Sequence, residues 1–241
     1  MVLLNTNSGG TYFGNGGQAV EYDTGDNFDL PFEYYLPKGG ILQVGLFDKE
    51  FSNHIVTSFQ RRLYVGTDPT FAGLMVGHST YSNVSGAYAR GIEAAYHQQF
   101  QWLPKPLYSF GIEVYVTILD SHINQYDTTL PGTSRLSWNL AGFCEAHGIQ
   151  VRLSAECVSK ELFFLGGSKA LDSIQDNRLT MDFTTIYWLL PDRTIYFNAK
   201  NLTNEPLRFY YGEGKSFPIQ RESCDATFEG GIRAKFQARQ V

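Results

Sequence analysis

The stretch from Asp225 to Phe236 (DATFEGGIRAKF) alternates strictly between two kinds of residue. Ala226, Phe228, Gly230, Ile232, Ala234 and Phe236 occupy one parity, and Asp225, Thr227, Glu229, Gly231, Arg233 and Lys235 the other. Successive side chains of a β-strand point to opposite faces, so this segment is a ribbon that is apolar on one side and charged on the other. The pattern recurs along most of the chain in segments of about ten to thirteen residues, roughly the length a tilted strand needs to cross a bilayer.

The alternating segments lie at about 26–36, 41–52, 88–100, 109–121, 133–145, 149–160, 177–190, 194–202 and 225–236. Most are bounded by Pro, Gly, Asn or Asp turn signals, as in Pro37–Gly40 (PKGG) and Ala146–Gly148 (AHG). This predicts an all-β chain, an antiparallel up-and-down meander of about nine long strands with no evident helix. Residues 1–25, rich in Gly, Asn and Thr, read as loop.

The links between these strands are unequal in an ordered way. Short ones (37–40, 101–108, 146–148, 190–193) alternate with long ones (53–87, 122–132, 161–176, 203–224). In a meander every second link lies at the same end, so short turns gather at one end and long loops at the other. That is the arrangement of a transmembrane β-barrel with short periplasmic turns and long extracellular loops. Tyr34, Tyr35, Phe100, Trp102, Tyr108, Trp188 and Phe236 crowd the short-turn end, where amphipathic rings suit a membrane–water boundary.

Opposite the apolar rows stand Glu93, Glu113, Arg135, Glu145, Arg152, Glu156, Lys160, Asp182, Lys200, Glu229, Arg233 and Lys235. Burying such charges in a packed core is costly, so they border water: either a wet barrel interior or the open face of an ordinary sheet. A formal charge of −5 disfavours a nucleic-acid partner. No apolar run is long enough for a membrane helix, which does not bear on barrel strands.

Site chemistry is sparse. The glycines between Gly9 and Gly17 are not flanked by the strand and helix of a nucleotide loop. Cys144, Cys157 and Cys224 have neither disulfide-framework nor zinc spacing, and no serine sits in a nucleophile elbow. The expectation is a non-enzyme with no cofactor and no metal. His54, His78 and His122 fall in long loops, as do Glu161, Asp172 and Asp176, which lack calcium-loop spacing. For ligand binding the candidates are the aromatic residues of the long loops and their borders, Tyr81, Tyr88, Phe209, Tyr210 and Tyr211. They offer stacking surfaces for sugars or aromatic chelators; self-packing of the loops is the competing reading.

Asp26–Gly40 (DNFDLPFEYYLPKGG), Gly91–Phe100 (GIEAAYHQQF), Leu130–Ser134 (LPGTS), Asn201–Tyr211 (NLTNEPLRFYY) and Gly231–Phe236 (GIRAKF), in this order, resemble the barrel of TonB-dependent outer-membrane receptors. The resemblance spans Asp26 to Phe236 and implies the C-terminal part of a 22-stranded barrel in the bacterial outer membrane, plugged by an N-terminal domain. Such receptors import a scarce nutrient (an iron–siderophore, vitamin B12 or an oligosaccharide) with energy passed on by the inner-membrane TonB protein. Phe236 matches the aromatic that closes the last strand, although residues 237–241 follow it as an extension. No plug, energy-coupling box or signal peptide is evident, so the expectation is a partial receptor. It would form an open sheet whose edges cannot be satisfied in lipid without further strands. A passive porin, a barrel lipase and a soluble β-sandwich adhesin or lectin remain the alternatives at this stage.

Overall fold

The structure, a computed structural model, describes residues 21–235, with the backbone alone for 58–62 and 78–80. In chain order the strands are β1 (Thr24–Leu36), β2 (Gly40–Ser52), β3 (His54–Leu63), β4 (Met75–Val84), β5 (Ala87–Gln99) and β6 (Phe110–Ile123). They continue as β7 (Leu136–Ala146), β8 (Ile149–Val158), β9 (Glu161–Phe164), β10 (Ser173–Gln175), β11 (Arg178–Leu190) and β12 (Arg193–Lys200). The last are β13 (Leu207–Tyr211), β14 (Phe217–Glu222) and β15 (Thr227–Ala234). Three short 3₁₀ turns, at 69–71, 107–109 and 169–171, are the only helical segments among the described residues.

Nine of these strands form one antiparallel sheet, in the order β1-β2-β5-β6-β7-β8-β11-β12-β15. These are the nine alternating segments, each within a few residues of its expected bounds. The first begins at Thr24, so the boundary of the N-terminal loop at residue 25 shifts inward by two residues. Residues 1–20, Phe236 and the 237–241 extension lie outside the described residues.

Register carries the alternation across the sheet as continuous rows. On one face Tyr34, Leu42, Tyr96, Val114, Leu140, Ala155 and Met181 are successive partners. The next row is Phe32, Val44, Ala94, Val116, Trp138, Cys157 and Leu179. Among the described residues no second layer covers this face: Phe32, Leu46, Ile92, Ile118, Leu153 and Phe228 are all exposed. A β-sandwich buries such rows against a facing sheet, so the adhesin-like alternative fails here. Exposed apolar rows on this scale require an apolar solvent.

The short links are tight. His147 and Gly148 connect β7 to β8 with φ of 51° and 74°, and Lys38 and Gly39 connect β1 to β2 with φ of 67° and 84°. Positive φ at both central residues gives a turn whose twist matches the flanking strands. Pro31 sits in β1 opposite Gly45, on an edge strand, where a missing amide donor is tolerated. Where a bulky side chain on the charged face meets its direct partner across the ladder, that partner is repeatedly glycine. A Cβ on Gly111 would lie 2.1 Å from Phe143, and one on Gly91 2.7 Å from Phe47.

The long links are not irregular. The 53–86 link contains the β3–β4 hairpin. The 159–177 and 201–226 links supply β9, β10, β13 and β14, which join as a four-stranded sheet in the order β14-β13-β10-β9. The long loops thus carry short strands of their own. These strands are too short, or too weakly alternating, to declare themselves singly, and pairing across the loops stabilises them.

Candidate functional site

The core of the molecule lies at the long-loop end rather than within the nine-stranded sheet. Ala87, Ala89 and Ile123, from the polar-row side of β5 and β6, pack with Val56 and Val84 of the hairpin and with Leu130, Leu162 and Leu165 of the following loops. Phe51, Leu119, Tyr126 and Ile174 pack around them. The long loops therefore fold over the side of the sheet that carries the charges.

Between the 124–135 loop and the four-stranded sheet opens a cleft of about 850 Å³. Its carboxyl groups are Asp120, Asp127, Glu161, Asp172 and Glu213; its bases are Arg135, Lys160 and Lys169, joined by His122. Hydroxyls come from Ser121, Thr128, Thr129, Thr133 and Ser159, and no Phe, Tyr or Trp lines it. Two pairings close part of this charge. Lys169 Nζ lies 3.3 Å from Asp127 Oδ2, and His122 Nε2 lies 3.8 Å from Asp127 Oδ1. Ser121 and Thr133 share a 2.7 Å hydrogen bond that fixes the loop to β6. Asp172 is only 8% exposed and accepts the amide of Gly166 at 2.8 Å. Burial pushes the Asp172 carboxyl up, against the opposing pull of the Gly166 amide and Lys169, and burial alone raises Glu161.

The sequence-derived aromatic candidates do not converge on one site. Tyr81, on β4, is 63% exposed. Tyr88 reaches the cleft: its hydroxyl donates to Asp120 at 3.3 Å, and its ring lies 5.9 Å from that of His122. The Arg90 guanidinium lies over the same ring, 4.0 Å from its centroid. Phe209 packs against Phe163 with centroids 4.8 Å apart, and Tyr210 is 4% exposed within the loop sheet. Tyr211 is half-buried beside them. Tyr210 stands near Asp176, which is held by Lys215 at 2.6 Å and Arg208 at 3.4 Å; burial raises its phenol.

Sequence reading missed the cleft as a unit. Its walls come from 120–135, 159–174 and 212–213, and the Ser134–Glu161 bridge that joins the first two is non-local. The one legible signal was the concentration of Thr, Asp and Lys in those links. Among the described residues no group of three His, Cys, Asp or Glu is arranged to hold a metal ion. His54 pairs with Asp23 at 2.7 Å instead.

Comparison with known proteins agrees with this architecture. Solved structures that resemble the chain include the copper transporter OprC, at 13% identity and a TM-score of 0.67 over 92% of this chain. The ferric yersiniabactin uptake receptor FyuA from Yersinia pestis matches at 16% identity and a TM-score of 0.62 over 89% of this chain. The siderophore receptor PirA from Acinetobacter baumannii matches at 12% identity and 0.62, also over 89%. The chain spans 33%, 30% and 32% of those proteins respectively, about a third of each. No curated protein sequence matches it significantly. The sequence profile described as TonB dependent receptor-like, beta-barrel matches residues 3–202, most of the chain. With the open meander and its sorted loops, that match places the chain in the TonB-dependent receptor β-barrel family.

Proposed function

We propose that this chain supplies C-terminal barrel strands to a bacterial outer-membrane receptor that takes up a scarce nutrient using energy from the inner membrane. The observation that carries this reading is the nine-stranded open sheet. One face is a continuous exposed apolar surface, the other bears the charges, and every long link lies at one end. The apolar rows meet outer-membrane lipid, and the charged rows border water. The long-loop end, with its cleft, faces outward and meets the small-molecule nutrient. Tyr88 contributes beside it through Asp120 and His122, Tyr81 offers an exposed ring on the β3–β4 hairpin, and Phe209, Tyr210 and Tyr211 brace the loop sheet. The inner-membrane TonB protein is the energy partner, acting through parts of the receptor outside these residues.

The test is uptake in the producing host. Cells from which the codons for 24–234 are deleted should lose accumulation of one labelled nutrient from a set of ferric chelates, cobalamin and oligosaccharides. An uncoupler that collapses the inner-membrane potential should abolish the same accumulation in intact cells. Accumulation that persists under the uncoupler identifies a passive pore and defeats the proposal.

A further inference from the structure

The structure assigns the cleft a ligand class: we infer that it admits an uncharged, polyhydroxylated molecule and turns away polyanionic metal chelates. This inference rests on the receptor reading above. At about 850 Å³ the cleft falls within the range of roughly 300–1,000 Å³ usual for small-molecule sites. Five carboxyl groups line it against three bases. Lys169 and Asp127 pair with each other, which leaves four carboxyl groups against two bases. A polyanion entering this space meets an excess of like charge.

The remaining lining suits hydroxyl groups. Thr128 and Thr129 line the cleft, and among the described residues neither side chain makes a hydrogen bond. Asp172, more than nine-tenths buried, uses one carboxyl oxygen on Gly166. The lining holds no Phe, Tyr or Trp and is rich in hydroxyl and carboxyl groups, which points recognition there to hydrogen bonds.

Equilibrium binding to outer membranes from the producing host tests this. The probes are neutral oligosaccharides of several lengths and an iron tris-catecholate. The expected result is saturable binding of at least one oligosaccharide and none of the tris-catecholate. The double variant Thr128→Val, Thr129→Val should weaken oligosaccharide binding by about tenfold, as the loss of two hydrogen bonds implies. Glu213→Lys with Asp127→Lys, both at exposed positions, reverses the charge balance of the cleft and should admit the tris-catecholate. Tight tris-catecholate binding by the unmodified chain, or no oligosaccharide binding by a chain present in outer membranes, overturns the inference and spares the receptor reading. A chain absent from outer membranes overturns both.

Discussion

Arg152 Nη2 lies 2.5 Å from Glu113 Oε2, and the two residues reach each other across the intervening strand β7. Glu113 is paired in register with Ala141, whose side chain is fully buried, and the small methyl leaves room for the bridge. The second carboxylate oxygen of Glu113 lies 3.1 Å from His97 Nδ1, and the His97 ring stacks on Phe143 at 5.4 Å. Four neighbouring strands are thus tied together on the polar face.

Arg152→Ala leaves a mostly buried carboxylate with one partner in place of two. We expect a loss of about 1–2 kcal/mol, the scale for stranding one hydrogen-bonded group. Urea unfolding in detergent micelles, followed by tryptophan fluorescence, measures it. An unchanged midpoint would show that the bridge is solvated and contributes nothing.

Gly111 lies directly opposite Phe143 on that face. A Cβ there would sit 2.1 Å from the Phe143 ring, so Gly111→Val must displace the ring and break its stacking on His97. Overpacking of this kind costs about 1–3 kcal/mol. Gly142, on the opposite face with nothing near its would-be Cβ, is the control. Gly142→Val should be tolerated, and equal damage from both variants would refute the account.

Ile123 is fully buried in the cluster that joins the loops to the top of β6. Ile123→Ala removes that packing at a cost of about 2–5 kcal/mol. The loss should appear in the loops before the sheet, as faster protease cleavage within 124–135 and 159–177. Cleavage rates identical to those of the unmodified chain would contradict the placement of the core.

Asp172 gives a pH dependence. Its carboxyl is raised by burial above the ordinary value of 3.8. The folded state therefore binds a proton that the unfolded chain has released, and stability falls as pH rises from about 4 toward the folded-state value. Asp172→Asn keeps an acceptor for the Gly166 amide but cannot ionise. It should flatten that slope and stabilise the loops at neutral pH, read from melting temperatures across an acid-to-neutral series. A slope that survives the substitution assigns it to another group.

Among the described residues neither edge of the nine-stranded sheet is paired, and with an odd number of antiparallel strands β1 and β15 run in the same direction. Two copies in the same membrane orientation would therefore set parallel strands together at each seam. Antiparallel closure calls for an odd number of further strands of opposite sense. Accordingly, a chain carrying Leu30→Cys and Ile232→Cys, with its native cysteines replaced by serine, should give no disulfide-linked, heat-modifiable dimer in lipid vesicles. Such a dimer would show that self-association satisfies the edges.

The membrane-type meander was legible because each side chain's face is fixed by its own backbone. Alternation over the ten residues of Ile149–Val158 or the thirteen of Ala87–Gln99 therefore reports burial with no knowledge of what pairs with what. Turn chemistry at Pro37 and Gly148, and the spacing between strands, supplied the direction. The hairpin at His54–Val84 escaped notice because its alternation breaks down at Gln60-Arg-Arg62. Strands β9 and β10, four and three residues long, are too short to show any period.

The tertiary structure decided the rest. Ser173 pairs with Tyr211, and Ser134 with Glu161, over separations that no local pattern encodes. Those pairings buried Phe209 and Tyr210, which sequence alone offered as a ligand surface, and gathered Asp120, Glu161 and Asp172 around one cleft. Strand character is local and survives in the sequence. A cleft exists only where distant segments meet, because its walls are held by contacts between residues far apart in the chain.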